Sequence, residues 1–159
     1  MLAGLRNYLK GIAEVDYAKG CDIVDAGWPA TEILPAPMSE QEKQGIAEAV
    51  AKAGESDVII AVLGEDEYRT GESRSRTSLD LPGRQQQLLE ALHATGKPVI
   101  LVLINGQPLT VNWANAYIPA ILESWFPGCQ GGTVIAETLF GEYNPGGKLT
   151  VTFPKSVGQ

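Results

Sequence analysis

The sequence predicts an α/β fold, a three-layer α/β/α sandwich built on a largely parallel sheet. Two stretches carry this prediction: DVIIAVLG (57–64) and PVILVLI (98–104) are continuous apolar runs rich in Val and Ile. Such runs are typical of strands that helices cover on both faces. A helical pattern lies between them, so the three segments form a βαβ unit with a right-handed crossover. Strand and helix patterns alternate along the rest of the chain, which indicates the α/β class.

Four segments show helical spacing of apolar residues or helix-end signals: 2–12, 39–54, 82–96 and 131–141. In the second, Ser39 and Glu42 form the pattern of a capping box, in which each side chain hydrogen-bonds the other residue's backbone N–H. In the third, Pro82 stands where proline is favoured, at the first turn of a helix. These signals predict where each of the two helices begins.

Three further strands are predicted, at VDYA (15–18), AILESWF (120–126) and KLTVTFP (148–154). The first two are short apolar or β-branched runs, and Pro154 stops the third. The Pro-rich stretch 20–38 is predicted as a loop. It contains Trp28, for which packing in the core and an exposed, sugar-binding ring are equally reasonable interpretations.

Both ends of the sequence look cut. The chain opens within a helical pattern, where a doubly wound domain would open with a central strand, and it closes on the polar segment KSVGQ. We therefore expect a fragment of a longer protein, with a sheet that lacks its first strand. Such a fragment would expose an apolar face and a sheet edge, and both features favour a homodimer.

Composition excludes several classes of partner. The formal net charge is −7 and only 12 residues are Lys or Arg, scattered along the chain, so we expect no nucleic-acid partner. No apolar run reaches the roughly 18 residues that cross a membrane, and residues 1–11 lack the pattern expected of a signal peptide. Cys21 and Cys129 form no metal-binding pattern, and we expect no metal and no cofactor. The cellular location stays open.

A long polar loop follows the first apolar run, at the end of a strand where open α/β sheets bind their ligands. Between residues 65 and 76 it contains four acidic and three basic side chains: Glu65, Asp66, Glu67, Glu72, Arg69, Arg74 and Arg76. One interpretation is a solvated surface loop whose charges neutralise one another. The other is a loop that presents a carboxyl group to a substrate.

Other catalytic and binding motifs are missing. Neither GxGxxG nor GxxxxGK[ST] occurs, so a nucleotide site is not indicated, and without GxSxG no Ser-His-Asp triad can be proposed. His93 lies late in a helix, where a cation suits the helix dipole, and a structural role is favoured. Trp113 and Trp125 are interpreted as residues that pack the sheet.

Four blocks in order resemble the second domain of family 3 glycoside hydrolases, the β-glucosidase and β-xylosidase group. The blocks are YAKGCDI, AGESDVIIAVLGEDEYRTGESRSRTSLDLPGRQQQLLEAL, KPVILVLINGQPLTVNW and AILESWFPGCQGGTVIAETLFGEYNPGGKLTVTFPKSVGQ. The resemblance runs from about residue 2 to residue 159. It implies an α/β sandwich that follows an N-terminal (β/α)8 barrel, which is absent from this sequence.

The resemblance also implies residue roles. In this family the barrel supplies an aspartate nucleophile, and a loop of the sandwich supplies a glutamate as general acid/base. That glutamate commonly precedes the Leu-Pro or Ile-Pro of the next helix, with an arginine a few residues after it. Glu72 lies ten positions before Pro82, and Arg76 takes the place of the arginine. Glu72 is therefore the candidate acid/base.

Loop length varies in the family, so Glu67 and Glu65 are kept as alternative acid/base candidates. Arg76 and Tyr68 are candidate substrate-binding residues, although Arg76 is also expected to hold the loop. Retaining hydrolysis needs two carboxyl groups roughly 5–5.5 Å apart, one as nucleophile and one that stays protonated. Because the nucleophile lies in the missing barrel, we expect the isolated chain to be inactive.

The resemblance thus implies a parent enzyme that removes terminal β-linked sugars from oligosaccharides or other β-glycosides by a retaining, exo-acting mechanism. An alternative from another class is a non-catalytic module that binds carbohydrate or a protein partner. A flavodoxin-like nucleotide or flavin binder is a third hypothesis, which rests on the fold class alone.

Overall fold

The computed structural model describes residues 1–24 and 37–159. Its helices and strands, in chain order, are α1 (Leu2–Tyr8), α2 (Glu40–Glu55), β1 (Ile59–Gly64), α3 (Gln85–His93), β2 (Val99–Ile104), α4 (Asn112–Tyr117), β3 (Ala120–Glu123) and α5 (Gly131–Leu139). Trp28 lies outside the described residues, so neither of its two interpretations is tested.

Within the described ranges the sheet has three parallel strands in the order β1-β2-β3. Ile59 pairs with Val99 and Gly64 with Ile104, so β1 and β2 are in register over their full length. β3 continues the sheet on the other side of β2, with Leu103 paired to Glu123. The βαβ unit and the parallel sheet that the sequence predicts are confirmed. All three carboxyl ends lie at one edge of the sheet, called the carboxyl edge below.

Helices cover the sheet because β2 is apolar at successive positions. Leu101 and Leu103 belong to a core cluster that also contains Ala49 of α2 and Leu89 of α3. Val102, between the two leucines, is also fully buried, and alternation along a strand directs it to the opposite face. Both faces of the sheet are therefore covered at β2, as an α/β/α sandwich requires. None of the described helices has the length and apolarity that a membrane crossing requires.

Helix α2 begins as its sequence predicts. The Ser39 hydroxyl accepts a hydrogen bond from the backbone N–H of Glu42 at 3.2 Å, and the Glu42 carboxylate accepts one from the backbone N–H of Ser39 at 2.5 Å. This is a complete capping box. Helix α3, in contrast, begins at Gln85 and not at Pro82. Gly83 has φ +63°, outside the helical region, so the chain turns once more before the helix starts.

Two predicted strands are wrong. VDYA (15–18) and KLTVTFP (148–154) have no strand structure. The physical reason is the lack of a partner, because β-branched residues form a strand only where a neighbouring strand and a buried face are available. Residues 148–152 are all exposed. The third prediction, 120–126, is confirmed only as far as Glu123, since Trp125 at φ +50° turns the chain out of the sheet.

Candidate functional site

Polar side chains follow each strand at the carboxyl edge. Glu65 comes directly after β1, Asn105 and Gln107 come after β2, and Glu123 is the last residue of β3. Because the strands are parallel and in register, these side chains lie close together at the carboxyl edge. This is where open α/β sheets place their ligand sites.

The loop from 65 to 84 lies at this edge and contains no helix or strand. Connections longer than roughly 12–15 residues are uncommon in compact domains and are often functional. The loop begins where Gly64 leaves β1 at φ +139°, with Ile104 O only 2.0 Å from where a Cβ would lie. Only glycine fits this close approach of the two strands.

Gln85, the first residue of α3, joins the two ends of the loop. Its Oε1 accepts a hydrogen bond from the backbone N–H of Gly64 at 2.7 Å, and its Nε2 donates to the carbonyl of Gly64 at 2.8 Å. Nε2 also donates to the carbonyl of Ile23 at 3.0 Å. The side chain is buried, with 2% of the residue exposed. One amide therefore holds the residue before the loop against the residue after it.

A buried ion pair links the start of the loop to its middle. Arg76 Nη1 contacts Glu65 Oε1, and the two side chains are 6% and 0% exposed. The same carboxylate oxygen accepts a hydrogen bond from Gln107 Nε2 at 3.1 Å. Burial lowers the pKa of the Arg76 guanidinium, and the charge of Asp80 partly opposes this shift. Glu65, Arg76, Gln85 and Gln107 are together called the loop base.

Further hydrogen bonds, one of them from Arg76 itself, hold the second half of the loop. Arg76 Nη2 donates to the carbonyl of Asp80 at 3.0 Å, and Asp80 Oδ1 accepts from the hydroxyl of Thr110. The backbone N–H of Thr110 donates to the carbonyl of Leu79 at 2.8 Å. On the β2 side, a Cβ on Gly106 would lie 2.8 Å from Thr70 Oγ1 and 2.6 Å from a ring carbon of Phe126. The loop therefore lies directly on the segment that follows β2.

The loop tip, residues 67–73, is different. Glu67, Tyr68 and Glu72 are all exposed, with 63% of Tyr68 accessible. Ser73 has φ +60°, which turns the chain immediately after Glu72. A polar contact at the tip joins residues that are close in sequence: Arg74 donates to the carbonyl of Tyr68. The tip thus presents a carboxyl group and a phenol ring to the surroundings.

A second polar group, formed by Glu123 and Asn105, lies next to Trp125. Glu123 Oε1 accepts from the backbone N–H of Trp125 at 2.8 Å, and its Oε2 accepts from Asn105 Nδ2 at 3.4 Å. Burial raises the pKa of Glu123, and these two hydrogen bonds partly oppose the shift. An open cleft of about 520 Å³ lies alongside, lined by Asn105, Gly106, Pro108, Trp125, Phe126, Thr150 and Val151.

The structure thus brings Glu65 and Arg76 together and leaves Glu67, Tyr68 and Glu72 at the exposed tip. Sequence reasoning missed Gln85, Asn105, Gln107 and Glu123. Three of these lie at the end of a strand or directly after one, and that position is the signal that could have found them. Gln85 carries no such signal, because its role depends on contact with Gly64, which is distant in sequence.

The remaining candidates have structural surroundings. His93 packs edge-on against Trp113, with ring centroids 5.5 Å apart, and Tyr117 lies 5.0 Å from Trp113. Cys21 and Cys129 do not form a disulfide. Over residues 1–24 and 37–159, no group of three or more His, Cys, Asp or Glu side chains is placed to hold a metal ion.

Comparison with known sequences gives a consistent result. A family model described as the glycosyl hydrolase family 3 C-terminal domain matches residues 1–159. The chain is 43% identical over 159 residues to a β-xylosidase of Formosa agariphila, aligning 100% of this chain with 20% of that protein. It is 45% identical over 166 residues to a periplasmic β-glucosidase of Salmonella typhimurium, aligning 100% of this chain with 21% of that protein.

Solved structures agree with the sequence relatives. A β-glucosidase from Erythrobacter marinus matches 99% of this chain with a TM-score of 0.84 and 42% identity, over 23% of its own length. A Listeria innocua β-glucosidase in complex with isofagomine matches 77% of this chain with a TM-score of 0.71 and 38% identity, over 17% of its length. The chain spans only about a fifth of the length of the curated relatives described above.

Proposed function

Because the chain belongs to the C-terminal domain family of family 3 glycosyl hydrolases, we propose that it is one domain of a larger β-glycosidase and contributes the general acid/base, Glu72. The rest of the enzyme would include an N-terminal (β/α)8 barrel that supplies the aspartate nucleophile and most of the sugar pocket. The whole enzyme would release terminal β-linked sugars with retention of configuration. The names of the β-xylosidase and β-glucosidase relatives support this reaction class.

The exposure of Glu72 is the observation that carries the proposal. A general acid must reach the leaving oxygen of a substrate held by another domain, so its carboxyl group must lie on an accessible surface. Glu72 is exposed at the tip of a long loop at the carboxyl edge. When a barrel closes over this tip, the carboxyl group would be shielded from water and lie beside the substrate.

The two candidate substrate-binding residues have different surroundings. Tyr68 is exposed beside Glu72 at the tip, and we propose that its ring contacts the leaving group or the sugar. Arg76 has its guanidinium on Glu65 and is nearly fully buried. Of the two roles that the sequence left open for Arg76, this position favours holding the loop over binding sugar hydroxyls.

The chain alone should hydrolyse p-nitrophenyl β-glucoside and β-xyloside at no useful rate, because it carries an acid/base without a nucleophile. Retaining hydrolysis needs both carboxyl groups at roughly 5–5.5 Å. Glu72-dependent turnover by the isolated 159-residue chain would contradict the division of the site between two domains.

Glu72→Gln in the longer enzyme tests the assignment. The amide cannot donate the proton, so hydrolysis of substrates with poor leaving groups, such as a disaccharide, should fall by roughly 10²–10⁴-fold. Substrates with activated leaving groups, such as a dinitrophenyl glycoside, should lose far less in the glycosylation step. The pH profile of kcat/KM should lose its alkaline limb, which reports the protonated acid.

Glu67→Gln is the matched control, since Glu67 is exposed at the same loop tip. It should leave the leaving-group dependence and the alkaline limb in place. If Glu67→Gln removes the limb and Glu72→Gln does not, the acid/base is Glu67. If neither change affects substrates with poor leaving groups, the domain does not supply the proton, and a non-catalytic role is favoured.

A further inference from the structure

We propose that Glu65 is a positioning residue: its buried carboxylate holds Arg76 and thereby fixes the loop that carries Glu72. This inference rests on the proposed function of Glu72, but its first part, the fixing of the loop, concerns this chain alone. It also gives a separate role to Glu65, one of the alternative acid/base candidates.

The position of Glu65 is fixed by the sheet. It follows β1 directly, and its backbone N–H donates to the carbonyl of Ile104 at 2.8 Å. Its side chain is completely buried at the carboxyl edge. A carboxyl group in such surroundings stays charged only beside a cationic partner, because a lone buried charge is strongly disfavoured.

Arg76 supplies that positive charge and links Glu65 to the rest of the loop. It lies four residues after Glu72, and its guanidinium contacts Glu65 through Nη1 and the carbonyl of Asp80 through Nη2 at 3.0 Å. One planar head group therefore connects the rigid end of β1 to the loop backbone on the far side of the tip. The rigid guanidinium suits this task better than the flexible ammonium of lysine would.

Two further contacts reduce the freedom that remains. Gln107 donates to the same Glu65 oxygen at 3.1 Å, which ties the pair to the segment after β2. Gln85 hydrogen-bonds both the N–H and the C=O of Gly64, which fixes the distance between the loop ends. The loop base is thus held by contacts between residues that are distant in sequence.

Accurate placement of the acid matters because proton donation depends on geometry. A misplacement of about 1 Å can lower a rate by about 10²-fold. A loop without helix or strand has no internal ladder of hydrogen bonds to set the position of Glu72. The buried ion pair supplies that reference point.

Trypsin cleavage of this chain after Arg69 and Arg74 measures how often the loop opens, and mass spectrometry identifies each site. Glu65→Gln and Arg76→Met each leave one buried charge without its partner. Each should accelerate cleavage at these two sites by at least about tenfold, since cleavage follows the population of the open form. The double variant should be cleaved within about threefold of the faster single variant, because the two side chains form one link and the second change removes nothing more.

Glu40→Gln is the matched control, because it removes an ion pair with Lys43 at 2.7 Å whose side chains are 90% and 53% exposed. It should leave cleavage in the loop unchanged. The proposal is overturned if both single variants are cleaved at the parent rate, if their effects multiply in the double variant, or if the double variant returns to the parent rate.

Kinetics of the longer enzyme test the second part. With Glu65→Gln, kcat for a poor leaving group should fall at least about tenfold, KM should stay within about threefold, and the alkaline limb of the pH profile should persist. Loss of that limb would make Glu65 the proton donor and overturn the positioning role. A rise of KM by about tenfold or more in Arg76→Met, with cleavage unchanged, would make Arg76 a sugar ligand instead.

The two proposals fail in different ways. If Glu72→Gln has no effect on poor leaving groups, the proposed function is wrong. The cleavage rates of the 159-residue chain still decide whether Glu65 and Arg76 fix the loop.

Discussion

Glu65 and Arg76 of the loop base lie in the same segment as the loop tip, yet base and tip occupy opposite environments. At the base, Glu65 and Arg76 are almost completely buried and contact each other. At the tip, Glu67 and Glu72 are exposed, a few residues away along the chain. The same residue type therefore serves two purposes: a buried glutamate that is paired with an arginine, and an exposed glutamate that is available to another molecule.

This difference separates stability from activity. A change at the base removes a buried partner and should lower the free energy of unfolding, whereas a change at the tip removes a solvated group and should not. The predictions below test this separation on the 159-residue chain, in order of decreasing effect.

The largest effect is expected for Arg76→Met. This change leaves the Glu65 carboxylate buried without a cation and should lower the free energy of unfolding by about 3–5 kcal/mol. Glu72→Gln should change it by less than about 0.5 kcal/mol, as is usual for exposed positions. Urea denaturation of both variants measures the contrast. Equal losses would show that the tip is as constrained as the base.

Gln85→Ala should have the next largest effect. It removes three hydrogen bonds and leaves the backbone groups of Gly64 unpaired in a buried site, with an expected loss of roughly 1–3 kcal/mol. Gln86→Ala is the control, since Gln86 bonds only to Glu90 at the surface among the contacts described, at 2.7 Å. If Gln86→Ala costs as much as Gln85→Ala, the bridge across the loop ends is not the source of the loss.

Ser39→Ala tests whether stability and loop order can be separated. It breaks the capping box of α2 and should cost about 1 kcal/mol. Glu42 of the capping box also contacts Arg84 at 2.9 Å, and this contact remains in the variant. Trypsin cleavage after Arg69 and Arg74 should therefore rise no more than global unfolding predicts. A preferential rise at these two sites would mean that the loop depends on α2.

Glu123→Gln should have the smallest effect and a distinct pH dependence. Burial raises the pKa of Glu123 above its usual 4.5, so the folded state holds the proton more tightly than the unfolded state does. Stability is therefore greatest below the ordinary pKa and falls as the pH rises through the raised value. The uncharged variant should be slightly more stable than the parent near pH 7, within about 0.5 kcal/mol, and the difference should vanish below pH ~4. Thermal melts at both pH values measure it; a less stable variant at pH 7 would mean that the charged form of Glu123 is favoured.

Sequence patterns predict the parts of this fold that depend on neighbouring residues. The apolar runs of β1 and β2 need only a cover on both faces, and the capping box of α2 is complete within four residues. The failed strand at 148–154 depended on a pairing partner, which a local pattern cannot supply. The same limit applies to the site. Charge content indicates a polar loop, but nothing local shows that Arg76 contacts Glu65 or that Gln85 reaches Gly64.

The hydrogen bonds between Gln85 and Gly64 allow part of the loop to be replaced by other segments. Both ends of the loop are fixed to the sheet by a side chain that lies outside it, and Leu81 within it belongs to the core. Segments of other lengths and chemistries could therefore replace the exposed tip, residues 67–73, while the loop base and α3 keep their packing. One architecture could in this way be adapted to leaving groups of different size.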